Sequence, residues 1–94
     1  MIKHIVMWKF KEGAEEQMKE FLAGLNALVG QIDVLRSLQT GVNVNPNEKF
    51  SCTLVCEFDN MDDLKAYATD PRHVAVASKI KGLALERCCV DFEE

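Results

Sequence analysis

The sequence predicts an α+β fold in which a four-stranded antiparallel sheet carries helices on one face, in the order strand, helix, strand, strand, broken helix, strand. Three observations predict it. Residues 2–10 and 50–59 alternate with period two, as half-buried strands do. Residues 14–31 place apolar groups at steps of three and four, the mark of an amphipathic helix. Asp70-Pro71 interrupts a second helical stripe, because proline disfavours a helical residue before it yet suits the first turn of a new helix. With 94 residues, the chain is read as one domain, 1–94, on a single core.

The first strand sets Ile2, His4, Val6, Trp8 and Phe10 against Lys3, Ile5, Met7 and Lys9, so both of its faces are expected to be at least partly buried. Lys11-Glu12-Gly13 is a turn. The helix that follows turns Met18, Phe21, Leu22, Leu25, Leu28, Val29 and Ile32 inward and ends near Gly30, with Glu15 and Glu16 suiting the dipole of its first turn. A second strand falls within 34–44, irregular around Arg36-Ser37, with Gly41 permitting a bulge. After the loop Asn45-Pro46-Asn47-Glu48, the third strand puts Cys52, Leu54, Cys56 and Phe58 on one face and Thr53, Val55 and Glu57 on the other. Asn60 is expected to cap a helix that carries Met61, Leu64 and Tyr67 inward. Asp70 then caps the next helical piece, whose stripe is His73, Val76, Ala77 and Ile80, and Gly82 closes it. The last strand, 84–92, alternates Leu85, Arg87, Cys89 and Asp91 with Glu86, Cys88, Val90 and Phe92, and its inward face is not legible from the pattern.

This order is the ferredoxin-like βαββαβ sandwich. Its sheet leaves one face bare, and Ile5, Met7 and Val55 put apolar groups there, so a homodimer closing an α/β barrel is expected. A net charge of -4 with no basic run argues against nucleic acid as a partner. No apolar run reaches the length of a membrane span and the N-terminus has no signal-peptide layout, so no membrane partner and a cytoplasmic location are expected. Cys52, Cys56, Cys88 and Cys89 fit neither a disulfide framework nor a metal site, and read as buried, reduced thiols.

Over essentially its full length the chain resembles the stress-responsive dimeric A/B barrel (Dabb) family. The resemblance is carried by His4-Ile5-Val6-Met7-Trp8-Lys9-Phe10-Lys11, by Phe58-Asp59-Asn60-Met61-Asp62-Asp63-Leu64, by Tyr67 with Pro71, His73 and Val74, and by Val90-Asp91-Phe92. It implies the ferredoxin-like fold, a homodimer through the sheets, and a small pocket between sheet and helices in each subunit. In the olivetolic acid cyclase-like proteins of the family, a histidine matching His73 and a tyrosine matching Tyr67 close a linear polyketide by an aldol reaction, and a histidine matching His4 lines the pocket. Leu25 stands where that enzyme is aromatic, and Ala84, Arg87 and Cys89 where it is apolar and bulky, so the resemblance does not carry its substrate across.

His73 and Tyr67 are therefore the candidate catalytic residues. A histidine in a helix's first turn feels the positive end of the dipole, which favours the neutral ring that a general base needs. Tyr67 would donate to a substrate carbonyl or enolate, and His4 to the same oxygen. These parts suit proton abstraction next to a carbonyl, followed by aldol closure, isomerisation or decarboxylation without a cofactor. The plainer reading makes His73 a bonded structural histidine and Tyr67 core. His4, Val6, Trp8, Phe21, Leu22, Leu25 and Leu54 are the candidate ligand-contacting residues, a set that is first of all ordinary core. Two alternatives stand beside an enzyme: a non-catalytic binding module for a small apolar or aromatic metabolite, and a cofactor-independent monooxygenase-like or haem-handling protein with only His4 and His73 available as axial ligands. No nucleotide, phosphate or metal motif is present, so no cofactor and no metal are expected.

Overall fold

A computed structural model describes all residues, Met1–Glu94. Its centre is β1 (Ile2–Phe10), the strand whose two faces both carry apolar groups. β1 is flanked by β3 (Cys52–Phe58) and β4 (Ala84–Glu93), and β2 (Ser37–Val42) adds to β3, giving the antiparallel order β2-β3-β1-β4. On one face lie α1 (Glu15–Asn26), α2 (Met61–Thr69) and α3 (Pro71–Ala77), which runs into a single 3-10 turn, Ser78–Ile80. The ladders place three rows across β3, β1 and β4 on this helix side: Cys56–His4–Asp91, Leu54–Val6–Cys89 and Cys52–Trp8–Arg87. The face of β4 that the sequence left open is thereby settled, with Arg87, Cys89 and Asp91 turned towards the helices.

The break before His73 is built as expected. Asn60 caps α2 by accepting the Asp63 N–H at 2.8 Å, and Asp70 caps α3 by accepting the Arg72 N–H at 2.8 Å. Asp70 holds the extended backbone (φ -62, ψ 131) that a following proline favours. The Arg72 guanidinium and backbone N–H together draw its carboxyl down to about 2. Glycine matters where α1 meets α3: a Cβ built on Gly24 would lie 3.1 Å from Val76 Cγ1, so the two helices approach across a missing side chain.

Four expectations need correction. The first helix ends at Asn26; residues 27–34 wind as successive turns, with Leu28 N–H on Leu25 O and Gly30 at φ +84. Those turns keep Leu28, Ile32 and Leu35 buried, which is why the apolar spacing outran the helix, whereas Val29 is exposed. Met61, in the first turn of α2, is also exposed. Gly41 lies in an unbroken ladder, and the irregularity falls instead between Lys9 and Phe10, where Leu85 is the extra residue opposite. Of the thiols only Cys52 and Cys56 are buried; Cys88 is half-buried and Cys89 exposed, because β4 is a sheet edge. Across the sheet's other face, Ile5 and Val55 are half-buried while Met7, Val90 and Phe92 are 38%, 60% and 41% exposed. No helix is long and apolar enough to cross a membrane.

Candidate functional site

Between the sheet and helices α2 and α3 lies a cavity of about 430 Å³. The β1 row contributes His4, Val6 and Trp8, α1 contributes Phe21 and Leu25, and β3 contributes Leu54. Tyr67 lies in the last turn of α2 and His73 in the first turn of α3, so the Asp70-Pro71 break turns both onto the cavity, ring centroids 4.4 Å apart. Leu22 is the exception among the candidate residues: it is buried in the core but does not border the cavity. The candidate site residues did not include Leu64, Ala68, Ala77, Ile80, Arg87, Cys89 and Asp91, which complete the wall. The last three share one face of β4, and pairing their alternation with β1 was the signal that would have found them.

His73 Nδ1 lies 3.1 Å from the Ala68 carbonyl oxygen, which can only accept. Nδ1 therefore carries the proton of the neutral ring and Nε2 the lone pair. Burial holds this imidazole below its ordinary range; the Ala68 bond works the other way, and the nearby His4 and Arg87 add to the lowering. The direction agrees with the sequence reading, and burial is its largest cause. Tyr67 is 1% exposed, and its hydroxyl has no hydrogen-bond partner in the protein. Burial, with Cys56 close by, raises this phenol well above its ordinary range, so it is a donor and not a phenolate.

His4 donates from Nδ1 to the Asp91 carboxylate, the pairing that the register sets up directly across β1 and β4. Such a bond fixes the ring's orientation and leaves Nε2 for another partner. The Cys89 thiol lies 3.5 Å from His4 Nδ1 and donates to Asp91 Oδ1 at 3.6 Å. The donor atoms of His4, Cys89 and Asp91 lie within 4.8 Å of one another, a spacing that a cation could bridge. The His4–Asp91 bond accounts for the cluster without one, and Arg87 on the same strand face opposes a cation there.

The comparisons agree with this fold. A dimeric protein of unknown function with a ferredoxin-like fold from Bacteroides fragilis superposes with a TM-score of 0.92 at 40% identity, covering 99% of this chain and 95% of that one. A dimeric ferredoxin-like protein of unknown function from Jannaschia sp. superposes at 0.86 with 25% identity, over 99% and 98% of the two chains. A stress-response A/B barrel domain-containing protein of Arabidopsis thaliana is 30% identical over 94 residues, 96% of this chain and 83% of that protein. With residues 2–94 matched by the family model for the stress responsive A/B barrel domain, the chain belongs to the Dabb family.

Proposed function

We propose that the chain works as a homodimer through its bare sheet face and that each subunit's cavity performs acid–base chemistry on a small carbonyl compound. His73 Nε2 takes a proton from the carbon next to the carbonyl. The Tyr67 hydroxyl donates to the carbonyl oxygen as negative charge develops there, and His4, oriented by Asp91, supports the same oxygen. The observation that carries this reading is the buried Tyr67 hydroxyl without a protein partner beside a histidine held neutral. A buried hydroxyl left unpaired costs about 1–3 kcal/mol, a cost that a ligand oxygen would remove.

The test is hydrogen–deuterium exchange at the methylene of phenylacetone in D2O, followed by proton NMR. The native protein is expected to accelerate exchange, with His73→Gln lowering the rate about 100-fold or more while the protein stays folded. Binding of phenylacetone with no accelerated exchange would favour the non-catalytic binding module, for which the mainly apolar wall of Val6, Trp8, Phe21, Leu25 and Leu54 is the supporting observation.

A further inference from the structure

Charge on the cavity wall is distributed unevenly. Asp91 is held by His4, and His73 is neutral near pH 7. Of the three arginines, Arg36 pairs with Asp59 and Arg72 with Asp70, whereas Arg87 forms no ion pair. Arg87 is thus the cation on the wall that lacks an ion-pair partner. Arg87 stands directly opposite Trp8 in the ladder, and it borders a second, shallower groove formed with Val74, Ser78, Lys81 and Leu85. Trp8, Ala68, His73, Ala77, Ile80 and Arg87 line both spaces, so they mark the mouth where the groove opens into the cavity. Val74 and Leu85, 49% and 59% exposed, add apolar surface to that groove, and Glu86, which also lines it, is paired with Lys9 and Lys49.

From the unpaired Arg87 at the mouth and the unpartnered Tyr67 hydroxyl within, we infer that the cavity takes a small carboxylic acid with an apolar or aromatic body. The planar guanidinium fork matches a carboxylate. The body lies against Trp8, Phe21 and Leu25, and a second polar atom of the ligand reaches the Tyr67 hydroxyl. A carboxylate suits the site better than a phosphate ester: a single guanidinium faces the ligand, and the Asp91 carboxylate, four residues along the same strand, repels a dianion. This deepens the reading proposed above and rests on it, adding an anionic handle to the carbonyl compound.

Trp8 is the single tryptophan and borders the cavity, so its fluorescence reports occupancy. Native protein, Arg87→Leu and Arg87→Lys are titrated with phenylacetate, with its neutral isostere phenylacetamide, and with phenyl phosphate. Native protein is expected to bind phenylacetate about tenfold or more tighter than the amide, the factor that a charge-assisted hydrogen bond carries. Arg87→Leu abolishes that preference, bringing phenylacetate to the affinity of the amide or below; Arg87→Lys retains part of it. Because Arg87 is exposed, neither variant is expected to disturb folding, and the amide titration verifies this in each. Equal affinity for acid and amide in native protein, or a preference that survives in Arg87→Leu, overturns the inference while leaving a cavity that binds neutral carbonyl compounds. Tighter binding of phenyl phosphate than of phenylacetate also overturns it. No binding of any of the three at millimolar concentration overturns both this inference and the reading beneath it.

Discussion

β3 and β4 flank the same strand through the same antiparallel ladder, yet they are opposite in character. Along β3 each side chain turned towards the helices is fully buried; along β4 the equivalent positions, Arg87, Cys89 and Asp91, are exposed. The helices pack over β2 and β3 and leave β4 without equal cover. Position relative to the helices, and not strand pairing, decides which residues must be apolar. The uncovered strand is thereby free to bring a thiol, a carboxylate and a guanidinium to the edge of the cavity.

The sharpest way to break this contrast is within one row. Leu54 and Cys89 are the two neighbours of Val6, one on each side. Leu54→Ala is expected to cost about 2–5 kcal/mol, seen as a large fall in the urea midpoint, because a 2% exposed side chain leaves a cavity. Across the sheet the order reverses: β4 matters there because Val90 and Phe92 form part of the bare face. Val90→Glu combined with Phe92→Glu should convert a dimer to a folded monomer at micromolar concentration, read by light scattering; a native protein that is already monomeric at that concentration would remove the proposed interface.

Asn60→Ala, which removes the cap of α2 without touching the sheet, should cost about 1 kcal/mol. His73 supplies a smaller, pH-dependent effect. Its pKa is lower in the folded state than the ordinary 6.5, so it has no influence above about pH 6.5, and stability falls as pH drops below that because the unfolded chain binds the proton first. His73→Gln should flatten the stability profile just below about pH 6.5; Asp70, held at about 2, gives way only below about pH 4 and does not confuse that region. The smallest effect belongs to Cys89→Ser, within about 0.5 kcal/mol. The same contrast governs thiol labelling. Cys89 should react with a thiol reagent in the folded protein, whereas Cys52 and Cys56, pushed up to about 11 and about 12 by burial, should react only on unfolding.

Where the sequence could be read depended on which strand was being read. β1 and β3 alternate because one face of each is packed under helices, and Asn60 and Asp70 announce their caps by residue type and by the proline that follows Asp70. His73 and Tyr67 were legible because the break between their helices is written locally. β4 was not, since its helix-facing positions carry no apolar pattern; Asp91 gains its meaning only opposite His4, a pairing set by register across 87 residues of chain. Leu22 was misplaced for a related reason: helical spacing says which residues face the core, but not which of them border an opening within it.

The absent side chain at Gly24 acts as a spacer of zero thickness. Val76 rests against it from the helix that also carries His73, while the sheet, α1 and α2 supply most of the remaining cavity wall. Thickening that contact by one methyl group, in Gly24→Ala, requires Val76 to yield by a few tenths of an ångström or α3 to ride outward. In the second case His73 moves relative to Tyr67 and Arg87 although no cavity residue has been altered. The dimensions of the site are in this sense adjustable from behind, at a position that no ligand touches.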